Sequence, residues 1–517
     1  MKQTMKQHSF TSQLKSLAVV FGIALAFASC ANEDVAQNPT NPNEDNDKNL
    51  TTFVAGDEAK TRTSLNYNSS DFSWEAGDYI YVKDDNGDLK KSTNAPKSKV
   101  ASFKYMVPGK FTDHSSYEVY YLGKNSSSNS VTISTAQSQT APDNTEHFGT
   151  AGDYGTATAT KVTGKNQFAF ELEHQPAYLV FQPYISNTVL HDCYLTKVEV
   201  SSDNDIAETY TVNTTTGALD ASAVTGGDKI VLTTTGSGSY SNGFPLTNSA
   251  ASVTTNGAYM VIKPGTHTLK VRYWVKDVAT NVEGTITKTY TSTAYASNTY
   301  YDMTAQLDVK NYDGDHYYTW DAQEQYWKGH EWWSSNKDQP VLNYTSNGNY
   351  AQSNTDPRYY HEGSGAFQAN NSCSTLPNVN EMTWYAKEGD PRWDADELWT
   401  TMGHLYKGGM WFKKKAYISG YNSNTAADGT DWRTIGGNGS WSASPTLPSA
   451  ADANKYFYLP ALGSYGSGQL YDIGSNGAYW SSSVYPAGGA YGLSFYSGNV
   501  YISNYNRKNG FRVGVLE

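Results

Sequence analysis

The carboxylates come first among residues that could do chemistry. "EGDPRWDADE" (388–397) gathers Asp390, Asp394, Asp396 and Glu397, and a pair of such groups is what glycoside hydrolysis requires. The same stretch also reads as a helix start. Asp394 is placed as N-cap, Glu397 completes a capping box, and Trp393 with Leu398 makes a hydrophobic staple. Leu398, Met402 and Leu405 would then form the buried stripe, and Gly408 would stop the helix. The cap accounts for Asp394 and Glu397, so no catalytic pair is expected. "NYDGDHYY" (311–318) clusters Asp313, Asp315 and His316, a grouping that reads as a junction turn rather than a metal site. "KDDNGDL" (83–89) lacks the ligand spacing and closing Glu of an EF-hand and reads as a hairpin turn. "HEWWS" (330–334) has no second His four residues on. No Gly-rich phosphate loop or G-x-S-x-G elbow is present. The expectation is a non-enzyme with no catalytic residue, no metal and no cofactor, calcium being left open.

Aromatics are the remaining chemical signal. Eleven of the 13 Trp lie beyond position 310, so the C-terminal part differs in kind from the rest. Trp and Tyr offer apolar faces with a polar edge, which suits both a core and the C–H face of a sugar. Asn, Ser or Arg beside them can hold the hydroxyl rim. The ligand-binding candidates are Trp332, Trp333, Trp480, Tyr485, Tyr491, Tyr501, Asn504 and Arg507. The closing "NGAYWSSSVYPAGGAYGLSFYSGNVYISNYNRKNGFRVGV" (476–515) has the Tyr/Ser/Gly/Asn mixture of adaptable recognition surfaces.

The elements that must position these residues divide by period. Over 51–309 the pattern is almost entirely strand-like. Asn86-Gly87 supplies a φ > 0 hairpin turn after "DYIYVK". Beyond Pro264-Gly265, Leu269, Val271, Tyr273 and Val275 alternate with Lys270, Arg272, Trp274 and Lys276. Short strands without helical stretches argue for β-sandwiches. After 310 helices join the strands, the second of them read in "LPNVNEMTWYAKEGDP" between Pro377 and Gly389-Asp390-Pro391. The fold class is therefore mainly β plus α+β. The boundaries drawn are 1–30 signal, 31–50 acidic tether, 51–184 and 185–309 sandwiches, and 310–517 the C-terminal domain.

At the N-terminus, Lys2, Lys6 and Lys15 precede the apolar run Leu17–Ser29, too short to span a bilayer, and then Cys30. This is a secretory signal. Small residues before Cys30 resemble the bacterial lipoprotein signal, in which the Cys carries the lipid; Phe27 departs from the usual Leu. The polar acidic stretch that follows reads as a solvated tether and resembles the export tag of Bacteroidetes surface lipoproteins. The formal net charge of −12 argues against nucleic acid. No later apolar run approaches ~20 residues, so the membrane is met only through the lipid. Cys193 and Cys373 are expected in different domains and unpaired.

Two families are resembled. "TRTSLNYNSSDFSWEAGDYIYVKDD" places Thr61-Arg62, Phe72, Trp74, Gly77-Asp78 and Ile80-Tyr81-Val82 as in the opening of fimbrillin-family proteins. "FAFELEHQPAYLVF", with His174, is similar to a later strand of that family. The resemblance covers 51–309. It implies two transthyretin-like β-sandwiches in a surface (type V) pilus, export as a lipoprotein, cleavage after a basic residue, and polymerisation by strand donation. Lys48, Lys60 and Arg62 are the cleavage candidates, and the sequence does not choose among them. "LPALGSYGSGQLYDIGSNGAYWSSSVY" and the terminal Phe511-Arg512-Val513 resemble the Fibrobacter-type major paralogous domain, most strongly over 459–515. That implies a C-type-lectin/sulfatase-modifying-factor-like fold. The formylglycine-generating members of that superfamily use a Cys pair, whereas this domain has Cys373 alone.

Together these features predict an outer-membrane, surface-exposed lipoprotein of a fimbrium, a pilus tip subunit or adhesin. Its expected partners are other pilus subunits and a glycan or protein ligand held by the C-terminal domain. The alternative is a polysaccharide-binding surface lipoprotein outside any pilus.

Overall fold

Alternating apolar and polar residues dominate the chain, and the structure, a computed structural model, is correspondingly mostly β-sheet with few helices. It describes residues 6–9, 50–56, 64–67, 71–127, 129–186, 192–278, 281–365, 367–514 and 516. Cys30, Lys48, Lys60 and Arg62 lie outside the described residues. The chain divides into two compact units, 1–279 with 290–308, and 280–289 with 309–517.

In the N-terminal unit, Leu50–Ala55 alternates half-buried and buried residues. It pairs in parallel with Gln167–Phe170 and antiparallel with Phe103–Pro108. Phe53 stacks on Phe168 at 5.2 Å, and Trp74 meets Tyr105 and Tyr121 edge-on. The fimbrillin-like motif is structural here. Asp78 is fully buried, where its carboxylate accepts the Glu75 amide and the Tyr121 hydroxyl. Gly77, at φ 82°, makes the turn before it. His174 is likewise buried, its Nδ1 bonded to Asp153, which also accepts the Tyr178 hydroxyl. The turn after Ile80–Lys83 is the expected hairpin, with Gly87 at φ 83°.

A second sheet of this unit centres on Ala177–Tyr184. It pairs antiparallel with Ala258–Ile262 and in parallel with Thr299–Gln306. The outer edge of Thr299–Gln306 carries Lys6–Ser9 as an antiparallel strand. Cys193–Ser202 pairs with Gly265–Asp277, on which Leu269, Val271, Tyr273 and Val275 are all buried. Gln137 and Gln139 spend their side-chain amides on the backbone of Val261, Tyr259 and Gly257. Ser130–Thr132 pairs with Glu208–Val212, so strands from both sides of position 185 share sheets.

In the C-terminal unit, the helix Val379–Lys387 forms as its sequence predicts. Asn378 caps it, with Glu381 closing the capping box, and Met382, Tyr385 and Ala386 are buried. The helix expected at 394–405 is absent. Arg392–Thr401 and His404–Lys413 are strands of one hairpin, turned by Met402 and Gly403, both at positive φ. The Asp394 carboxylate does accept the amides of Asp396 and Glu397, as an N-cap would. However, those bonds sit at a register shift between Asp394 and Leu398. Glu397 does not return to close a box; Thr285 and Thr287 bond its carboxylate instead. An acidic side chain over the next amides stabilises a turn as readily as a helix, and Trp399-Thr400-Thr401 then favours strand.

The largest sheet of this unit runs Tyr317–Tyr318, Phe511–Arg512, Gly477–Val484, Ala490–Tyr496, Asn499–Tyr505, Gly439–Ser442. Leu493, Phe495, Val500 and Ile502 point to one side and join Met382, Tyr385, Trp399, Met410 and Phe412 in the main core. Cys193 and Cys373 are buried free thiols.

Candidate functional site

The other side of that sheet follows from strand periodicity, since directly paired residues share a face. Asn499 pairs with Tyr496, Tyr501 with Ser494, Ser503 with Gly492 and Tyr505 with Ala490. The result is a row of tyrosines set among residues with small side chains. Tyr496 is 44% exposed, and Tyr501 and Tyr505 are half-buried. The Ser494 and Tyr505 hydroxyls bond each other at 2.6 Å. Next to these, Trp480 pairs with Gly492, but it is covered. Phe511 stacks on it at 4.4 Å and its indole N–H bonds the Tyr318 carbonyl. Trp480 is thus core, not ligand face, and so is Tyr491, whose hydroxyl bonds Trp432 and Gly437 beneath the sheet. Both are corrections. One strand carries inward and outward aromatics alternately, and composition does not separate them.

Tyr505 leads from this face into a pocket of about 610 Å³, lined by Tyr360, Glu362, Asn504, Asn506 and Arg507 among others. Arg507 is 7% exposed. Its Nε donates to the Gly489 carbonyl at 2.8 Å and its Nη1 to the Gly363 carbonyl at 3.1 Å. The guanidinium lies over Phe367 and Trp320, 4.9 and 5.2 Å from the ring centres. Burial pushes its pKa below the ordinary value, with Tyr360 opposing.

The pocket wall at 360–363 comes from a loop distant in sequence, pinned by Asp321. That residue is fully buried at φ 52°. Its carboxylate takes the His361 ring nitrogen at 2.7 Å and the amides of Asn370, Asn371 and Cys373. The Cys373 thiol accepts the Asp321 amide. Burial pushes that thiol up to about 12, so it stays protonated and structural.

The other predicted residues lie elsewhere. Tyr485 is half-buried edge-on to Tyr491. Trp332 packs beside Gly314 and Gly403, edge-on to Trp333, which is 53% exposed. Neither lines the pocket. Asn504 and Arg507 do, and Tyr501 stands on the adjoining face. The residues missed from sequence are Tyr496 and Tyr505, which strand alternation could have flagged, Asn506, which follows the strand end, and Tyr360 and Glu362, which only the fold brings close.

The carboxylates of 388–397 all have local partners. Burial raises the Asp390 carboxyl, but Arg392 and Tyr456 together hold it below its ordinary value. Asp394 accepts the Trp411 indole N–H, and Asp396 pairs with Lys407. Asp313, Asp315 and His316 lie with their ligand atoms within 4.8 Å of one another, largely exposed.

No protein-family model matches this chain, and no curated protein matches it. Solved structures similar to it include a candidate cell adhesion protein from Bacteroides ovatus, 14% identical. That likeness covers 50% of this chain and 93% of that one, with a TM-score of 0.31. The fimbrial anchor protein Mfa2 from Porphyromonas gingivalis is 12% identical over 46% of this chain and 82% of its own, with a TM-score of 0.21. A fimbrial protein from Bacteroides ovatus is 12% identical over 89% of this chain and 98% of its own, with a TM-score of 0.22.

Proposed function

We propose that this chain is a surface adhesin of a fimbrium, tethered to the outer membrane by a lipid on Cys30. It binds a glycan through its C-terminal unit and catalyses nothing. The tandem transthyretin-like sandwiches and the lectin-like C-terminal fold belong to the same reading. The observation that carries it is the tyrosine row Tyr496, Tyr501 and Tyr505, whose face leads directly into a polar pocket. Partly exposed phenol rings beside small residues leave flat apolar ground on which a sugar ring can stack, while Asn506 at the pocket supplies a donor and an acceptor for its hydroxyls.

Membership of a pilus is supported by the fimbrillin-like motifs and by the edge of Thr299–Gln306. The strand on that edge, Lys6–Ser9, belongs to the signal segment. Its removal leaves a row of unpaired backbone groups, the template a donated strand needs.

A glycan array probed with the protein lacking residues 1–30, with and without chelator, tests the binding reading. Selective binding that falls at least about tenfold in Tyr501→Ala with an unchanged melt is expected, in line with the loss of a stacked ring. Binding to no glycan, or a Tyr501→Ala protein indistinguishable from the parent, overturns it.

A further inference from the structure

We infer that the pocket beside the tyrosine row takes the acidic group of a sugar, a uronate carboxylate or a sulfate ester, on the guanidinium of Arg507. This rests on the glycan-binding reading above and names the ligand class.

A guanidinium as buried as that of Arg507 normally faces a carboxylate, because a desolvated charge without a counter-charge is costly. Among the described residues none lies within 4 Å of it; its partners are the two neutral carbonyls of Gly489 and Gly363. Those bonds fix the plane of the group between Gly363 and Gly489, the latter just before the Ala490–Tyr496 strand, with Phe367 and Trp320 against it. Nη2 makes no hydrogen bond with any described residue, while Arg507 lines the open pocket. Two N–H donors and a full positive charge are therefore pre-organised at a cavity of sugar size, at no reorganisation cost on binding. Asn504, Asn506 and Tyr360 surround them with groups suited to hydroxyls. Glu362, the acidic residue of the lining, is exposed. Its Oε2 accepts the Asn354 side-chain amide, so its charge is solvated and its repulsion of an incoming anion is screened but not removed.

The test compares paired probes on the protein lacking residues 1–30. One pair is a uronate-terminated oligosaccharide and its carboxyl-reduced form; the other is a sulfated oligosaccharide and its desulfated form. The acidic member of at least one pair should bind about tenfold or more tighter, with affinity falling as salt rises. Arg507→Gln should abolish that preference. Because that variant also loses two structural bonds, Glu362→Gln, which leaves Arg507 and both carbonyl bonds in place, provides a second readout. It should tighten the acidic probe relative to the neutral one. Equal binding within both pairs, or no tightening in Glu362→Gln, overturns the inference while leaving glycan binding intact. Failure to bind any member of either pair or any array glycan removes the underlying reading as well.

Discussion

Asp431 shows how much a single polar side chain holds in place beneath the six-stranded sheet. Its carboxylate caps the short helix Trp432–Ile435 and accepts Arg433 Nε and Nη2 at 2.8 and 2.7 Å and Asn380 Nδ2 at 2.8 Å. Trp432 is thereby fixed under Tyr491. Arg433 is the main cause that brings this carboxyl down to about 2, burial opposing it. An unfolded Asp titrates near ~3.9. The contribution is therefore fully present above about pH 4 and is lost as pH falls through about 2. The carboxyl side chain is 29% exposed, so solvent screening reduces the effect to about 1 kcal/mol. Asp431→Asn should accordingly lose less stability than the parent between about pH 5 and about pH 2, read from denaturant midpoints. Parallel acid titrations of the two proteins would refute this. A second lesson at this scale concerns Trp480 and Tyr491. Their residue types promised ligand contact, and their neighbours Phe511 and Trp432, not their chemistry, decide that they are core.

At the scale of elements, local signals were legible where they agreed with one another. Asn86-Gly87 turned a hairpin, and a helix formed between Pro377 and Gly389-Asp390-Pro391, because no competing pattern stood beside them. The 392–413 region carried two patterns. Its capping signature was real, since Asp394 does bond the following amides. The outcome was set by pairing with Tyr456–Pro460 and by Thr285 and Thr287 binding Glu397, partners distant in sequence. The pocket was illegible for the same reason, as Tyr360 and Glu362 reach Arg507 only through the buried Asp321 anchor. The hairpin reading has its own test. Gly403 sits at φ 77°, and an added Cβ would come 3.3 Å from the Trp332 ring. Gly403→Ala should cost about 1–2 kcal/mol, the combined penalty of a left-handed backbone and a tight contact. A urea midpoint equal to the parent's would mean that the turn is not formed as described.

For the whole molecule, the question is whether the chain can both receive and give a strand. On the proposed reading, receiving would use the edge of Thr299–Gln306, which Lys6–Ser9 covers here and which loss of the signal would free. In the pilus class that the sequence resembles, the donated strand is the C-terminal one, and here residues 511–512 are engaged within the C-terminal unit. Phe511–Arg512 pairs in parallel with Gly477–Val484 and antiparallel with Tyr317–Tyr318. Phe511 is buried against Trp480, and Leu516 is buried too. Val513 is half-buried, and Val515 lies outside the described residues. Withdrawing the segment would expose Phe511 and Leu516 at ~1.5–3 kcal/mol each and uncover Trp480 beneath the first of them. On the reading proposed above, a subunit that accepts a strand while this segment stays in its own sheet would sit at one end of a filament. Antibody raised against the C-terminal unit should then label one end of each filament, at about one copy per filament. Deletion of 511–517 should leave a protein that no longer binds glycan or melts cooperatively. Label spread along the shaft, or a 511–517 deletion that keeps the C-terminal unit folded while blocking polymerisation, would show that the end is a donor and would remove the chain from the tip.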